Sequence, residues 1–203
     1  ESLETMIGLE PANPKWLLAA AGVGAVTGET REAKIRLERA RQLGLPDGKS
    51  HWQAGMLAEV LGKQVDAKSD YERAVEMDPT LDETWLRLIT LYRAIGDTGA
   101  ARRSQVAALE ANPDSARLLM NRGLQFRGRQ QWSQALADFE RVMELQPDME
   151  GVSHAAVQML FQLDRKAEGV ALLNDVLVKN PDDHIAMTLL CVEALVAADK
   201  ETA

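Results

Sequence analysis

Tyr71-Glu-Arg-Ala-Val-Glu-Met-Asp-Pro79 returns as Val106-Ala-Ala-Leu-Glu-Ala-Asn-Pro113 and again as Phe139-Glu-Arg-Val-Met-Glu-Leu-Gln-Pro147. Each stretch ends in a proline, which has no N–H to donate and whose ring clashes with the preceding turn, so each marks the end of a helix. Pro79, Pro113, Pro147 and Pro181 stand 34 residues apart; run backwards, the same period reaches Pro11 and misses Pro46 by one. A fixed period of this length means copies of one unit stacked side by side. Apolar residues recur at i, i+3, i+4 and i+7, as in Trp85, Leu88, Ile89 and Tyr92, which is the stripe of a helix that buries one face. The spacing predicts helices over 15–27, 30–44, 49–61, 64–77, 82–95, 98–111, 116–128, 132–145, 150–162, 166–179 and 184–197.

The pattern inside the period resembles the tetratricopeptide repeat, a helix–turn–helix unit of 34 residues. That family asks for Trp at position 4, Leu at 7, a small residue at 8 and Tyr at 11, then Ala at 20, an aromatic at 24, Ala at 27 and Pro at 32. Residues 82–115 supply Trp85, Leu88, Tyr92, Ala101, Ala108 and Pro113. Residues 48–81 supply Gly55, Ala67, Tyr71, Ala74 and Pro79, and residues 116–149 supply Gly123, Phe126, Ala135, Phe139 and Pro147. The unit at 14–47 keeps Ala21, Ala33 and Ala40, with Trp16 one residue early; the unit at 150–183 keeps Pro181 and otherwise residues matched only in size. The resemblance implies an all-α fold, an α-solenoid of stacked antiparallel helix pairs wound as a right-handed superhelix. Its domain organisation is a single array: partial repeat 1–13, full repeats 14–47, 48–81, 82–115, 116–149 and 150–183, and partial repeat 184–203.

Small residues at 8, 20 and 27 let helices approach, and the large ones fill the space between them. A lone unit cannot bury its own apolar face, so the stack is the core. Ala67, Ala101 and Ala135 are therefore expected to be buried at close helix contacts. Gly28, Gly62 and Gly96 all fall at position 15, where a turn between helices uses a left-handed residue. Asp82 and Asp97 stand where N-caps belong. In this frame Glu1 falls halfway along a second helix, while Asp199-Lys-Glu-Thr-Ala203 copies the opening of another. The chain therefore reads as a fragment of a longer array. Its end helices carry Leu3, Met6, Ile7, Leu189, Val192 and Leu195, apolar faces expected to self-associate.

Composition limits the function. With 23 Lys and Arg against 31 Asp and Glu, the net charge of −8 lacks the basic footprint that binds a phosphate backbone. One cysteine permits neither an internal disulfide nor a cysteine-rich zinc site. The longest apolar run, Trp16 to Val26, is eleven residues, short of the ~20 of a membrane-spanning helix. Gly22-x-Gly24-x-x-x-Gly28 resembles a dinucleotide-binding loop but lies within helical sequence and reads as close helix packing. His51, His154 and His184 are scattered and fit surface or groove positions, and Cys191 occupies a small-residue packing slot. No catalytic, metal or cofactor site is expected, and no cofactor.

By resemblance, positions 2, 5, 6, 9, 12 and 13 of each unit line a concave groove. Trp52, Met56, Leu86, Arg87, Arg93, Met120, Asn121, Leu124, Arg127 and Phe161 collect there. Apolar anchors beside arginines suit a peptide with hydrophobic and acidic side chains. The carboxylate clamp of chaperone-binding members is missing: Trp52 and Met56 occupy its Lys and Asn slots, and a start one unit later finds Asn121 but then Gly151 and Ala155. The expected function is a non-catalytic protein-interaction scaffold. Two alternatives share the fold: a recruiting or regulatory arm of a glycosyltransferase- or sulfotransferase-type enzyme, and an assembly factor of a bacterial envelope or secretion system. The sequence leaves cytoplasm and periplasm open.

Overall fold

Asn13 opens the first full helix pair: its side chain accepts from the Lys15 amide at 3.0 Å, and Pro14 follows at the first helical position, where its missing N–H costs nothing. The structure, a computed structural model, describes residues 3–201, with the side chains of Glu4 and of residues 196–201 left aside. The described residues form helices and turns only. The helices are α1 (Leu3–Leu9), α2 (Pro14–Thr27), α3 (Thr30–Leu43), α4 (Gly48–Val60), α5 (Gln64–Met77), α6 (Asp82–Ala94) and α7 (Thr98–Ala111), then α8 (Ala116–Gly128), α9 (Trp132–Leu145), α10 (Val152–Gln162), α11 (Lys166–Lys179) and α12 (His184–Glu201). They fall into two compact units, the first ending at Pro113 and the second starting at Asp114. In each, antiparallel pairs stack so that a helix also meets the next pair: α2 packs on α3 and α4, α5 on α4 and α6, and α9 on α8 and α10.

Small residues bring each pair together. Ala33, Ala67, Ala101 and Ala135 are buried at position 20. Gly24 lies close enough to α3 that an added Cβ would sit 3.4 Å from the Ala33 Cβ, so this glycine signature is packing. At position 15 the chain turns through the left-handed region: Gly28, Gly62 and Gly96 have φ of 87°, 75° and 81°. The two later turns do the same without glycine, at Gln130 (φ 59°) and Asp164 (φ 57°), so the turn geometry is imposed by helix packing.

Two polar cross-links join helices inside the stacks. In the first unit Arg41 of α3 holds Asp70 of α5, whose carboxyl is pushed up by burial. His51 of α4 has Nδ1 3.8 Å from Asp70, and burial lowers its pKa. In the second unit Arg122 of α8 grips Asp138 of α9 with two hydrogen bonds of 2.8 and 2.6 Å.

Four expectations change. Asp97 caps α7, accepting from the Ala100 amide at 2.8 Å, but Asp82 lies inside the first turn of α6, whose N-cap is Leu81; there its charge still favours the helix dipole. His51, at position 4 of its unit, is half-buried beside Asp70, in neither a surface nor a groove position. The helix α12 runs on through Ala198 and Asp199 to Glu201, where a turn and a new helix were expected; alanine is a strong helix former with no preference for the left-handed region. Cys191 is consequently exposed, since among the described residues no second helix covers its slot. Glu1 and the terminal Thr202 and Ala203 lie outside the described residues.

Candidate partner-binding surface

The surface that positions the expected site is built from first helices. On α2 the residues Lys15, Leu18, Ala19 and Gly22 share one face by helical spacing; on α4, 34 residues later, Lys49, Trp52, Gln53 and Met56 share the matching face. Together with Leu57 they line an open pocket of about 540 Å³ within the first unit. Trp52 and Met56 are half-buried in it. The small Ala19 and Gly22 leave the room that those large side chains border. The Trp52 indole N–H is buried with no hydrogen-bond partner in the structure.

The rim is held by Asp47. It caps α4, accepting from the amide and hydroxyl of Ser50 at 2.7 Å each, and pairs with Lys15 at 2.9 Å. The Ser50 hydrogen bonds, then Lys15, hold its carboxyl down to about 2. Lys15 is thereby neutralised, whereas the exposed Lys49 ammonium makes no hydrogen bond or ion pair among the described residues.

On α6, Leu86 is half-buried and Arg87 and Arg93 are exposed. Arg87 is already engaged: Glu83 holds it at 3.2 Å and Glu59 at 3.6 Å. Glu59 also accepts from the Tyr71 hydroxyl at 2.6 Å. In the second unit Met120, Asn121 and Arg127 are half-buried and Leu124 is more exposed. Asn121 accepts from the Gln125 amide at 2.7 Å, and Arg127 reaches Gln158 of α10 at 3.5 Å. Phe161 turns inward: its ring lies over Gly169 of α11 and packs against the cluster of Val157, Leu173 and Ala186.

The structure thus brings Trp52 and Met56 together around a pocket and sets Arg127 beside Gln158. Lys49, Ala19 and Gly22 were missed. They stand at groove positions 2, 6 and 9 of their units, but selecting large apolar side chains and arginines passes over them. A second depression, about 430 Å³, lies in the second unit between α9 and α11 and includes Met143, Leu172, Val176 and Asp175. At its edge His154 Nε2 is 3.1 Å from Asp183, which caps α12 through the Ala186 amide at 2.9 Å. Among the described residues no three His, Cys, Asp or Glu side chains are grouped to hold a metal ion, and no helix is long and apolar enough to cross a membrane.

No protein-family model matches the chain. Over 91 residues, 44% of the chain, it is 33% identical to the probable biofilm formation methyltransferase WspC of Pseudomonas aeruginosa, covering 22% of that protein. Over 101 residues, 50% of the chain, it is 30% identical to its namesake in Pseudomonas putida, covering 24%. The chain therefore spans less than a quarter of the length of these curated relatives. Among solved structures it resembles YrrB, described as a TPR protein with an unusual peptide-binding site, with TM-score 0.64 and 17% identity over 93% of this chain and 97% of that one. It also resembles MamA from Desulfovibrio magneticus, with TM-score 0.62 and 18% identity over 84% and 97% of the two chains.

Proposed function

This chain has the tetratricopeptide-repeat fold, and on that premise we propose that it is a non-catalytic scaffold that binds a protein or peptide partner along its first-helix faces. The observation that carries the reading is the pocket between α2 and α4, where Trp52 and Met56 present apolar surface that the helix pairs do not use up. Such concave, mostly apolar sites with a few polar groups are where ligands are held. Leu86 on α6 and Leu124 on α8 extend the same character within their own units. That YrrB is described by a peptide-binding site supports the reading for this fold. The methyltransferase name belongs to relatives of which the chain spans under a quarter, and no transferase activity is carried over from it.

The partner is a peptide segment with hydrophobic and acidic side chains; neither nucleic acid nor membrane insertion belongs to the proposal. Self-association does, through the exposed Val192 and Leu195 of α12.

Capture from the source cell's lysate tests the first-helix faces. Met56→Glu with Leu86→Glu, and separately Leu124→Glu, are expected to lose the partners that wild type retains, with helicity unchanged. Arg102→Glu with Arg103→Glu, exposed on α7, is expected to keep them. Retention by both face variants would place the contact elsewhere. Sedimentation at low and high concentration tests self-association, which Leu195→Glu is expected to suppress.

A further inference from the structure

We infer that the pocket between α2 and α4 recognises a bulky aliphatic side chain followed directly by an acidic one, and that Lys49 is the cation that reads the acid. This rests on the reading that first-helix faces bind a protein, and gives that reading a ligand chemistry.

The size of the subsite comes from a mismatch between two helices in the same register. Leu18, Ala19 and Gly22 of α2 stand 34 residues before Trp52, Gln53 and Met56 of α4. At each of the three positions α2 carries the smaller group, down to Ala19 and Gly22, and the difference is the opening of about 540 Å³. This is within the ~300–1,000 Å³ range of ligand pockets. A Cβ added at Gly22 would meet only Leu57 Cδ2, at 3.8 Å, an ordinary contact. The space over Gly22 is therefore open, and its walls from Leu18, Trp52, Met56 and Leu57 are apolar.

The charge comes from elimination at the rim. Of its three ionisable groups, Asp47 and Lys15 neutralise each other at 2.9 Å, and Asp47 is further occupied in capping α4. Lys49 alone is unmatched. It precedes Trp52 by three residues, so it projects from the same face of α4. In a chain of net charge −8 the pocket mouth is locally positive. The arginine expected to play this part, Arg87, is held by Glu83 and Glu59; a ligand carboxylate would have to displace them.

The probes are fluorescein-labelled, end-capped peptides of Gly and Ser with one central Leu, followed by Glu, Gln or Lys, titrated by anisotropy. The Leu-Glu peptide is expected to bind at least ~10-fold tighter than Leu-Lys, and Lys49→Glu to reverse that order, the response of an interaction worth ~1.4 kcal/mol. Gly22→Leu fills the pocket from within and is expected to weaken Leu-Glu more than ~10-fold while raising the melting temperature, because leucine favours a helix over glycine. The loss cannot then be unfolding. Equal binding of the three peptides, insensitivity to Gly22→Leu, or no binding to wild type up to about 1 mM would each overturn the inference. The scaffold reading fails separately: if lysate partners survive Met56→Glu with Leu86→Glu, it is wrong whatever the peptides do. If those partners are lost while the peptides show no charge order, the scaffold stands and this ligand chemistry does not.

Discussion

In the pair α4–α5 glycine lies on the first helix and the ring on the second; in α10–α11 the two have exchanged helices. A Cβ at Gly55 would lie 2.5 Å from the Tyr71 ring, and one at Gly123 of α8 would lie 2.6 Å from the Phe139 ring of α9. In α10–α11 the glycine is Gly169 on the second helix, and the ring over it is Phe161 of the first. The usual slots, positions 8 and 24, are filled there by Val157 and Leu173, both fully buried. The lesson is that a helix pair needs a gap and a side chain that fills it. Which helix supplies which is free, provided the neighbouring slots compensate in volume. Two other pairs strike the balance differently: Ala21 with Leu37, and Ile89 with Gln105, all buried.

Truncating the rings tests the comparison hardest. Phe139→Ala is expected to cost about 3–5 kcal/mol in a urea titration, as for a buried phenylalanine. Phe161→Ala is expected to cost roughly half as much, because its ring is only half-buried. Equal losses would mean that both rings are core and that the exchange is complete.

Filling the gaps is the next largest effect. Gly123→Ala and Gly169→Ala are each expected to lose about 1–3 kcal/mol by overpacking, although alanine is the better helix former by ~1 kcal/mol. If Gly169 and Phe161 are one packing unit, Gly169→Ala combined with Phe161→Leu should cost about 0.5–3 kcal/mol less than the two singles added together. Strict additivity would break the link between them.

The turns differ more gently. Gln130→Gly is expected to stabilise by about 0.5–1 kcal/mol, since a left-handed φ of 59° strains any residue with a Cβ. Asp164→Gly should gain less, because aspartate tolerates that region better. The reverse change, Gly62→Gln, should cost about 1 kcal/mol. Thermal melts of the three variants give the order.

Helix starts differ least, and the difference fades in acid. The Asp47 carboxylate caps α4, while α10 begins after Gly151 (φ 78°) with no side-chain cap. The pKa of Asp47 lies near 2, below its unfolded value of ~3.9. Its contribution is present above the unfolded value and is lost as pH falls from about 4 towards about 2. Solvent screening at this partly exposed site limits it to about 1 kcal/mol. Asp47→Asn, which still caps but carries no charge for Lys15, should abolish that pH step and cost up to about 1 kcal/mol at neutral pH.

Much of this was written in one dimension. The proline period and the apolar stripes located the helices from α2 to α11 to within about two residues at each end, because a helix boundary is set by local chemistry: proline after it, glycine or aspartate at its edge. Ala67, Ala101 and Ala135 could be placed in the core from the sequence, since a small residue repeated at one register has no other use in a stack. Left-handed turns at Gly28, Gly62 and Gly96 follow from the residue itself.

What the three-dimensional structure decided are the relations between residues far apart in sequence. That the Phe161 ring lies over Gly169 depends on a volume balance with Val157 and Leu173, which no single position reveals. That Arg87 is engaged while Lys49 is not depends on where Glu59 and Asp47 come to lie, and electrostatic pairing falls off over a few ångströms in space, not in sequence. The pocket is a difference between two helices, Gly22 and Ala19 against Met56 and Trp52, and it exists only once packing has set them side by side. Gln130 and Asp164 adopt the turn that glycine takes elsewhere for the same reason: the helices they join fix the backbone, and the side chain yields.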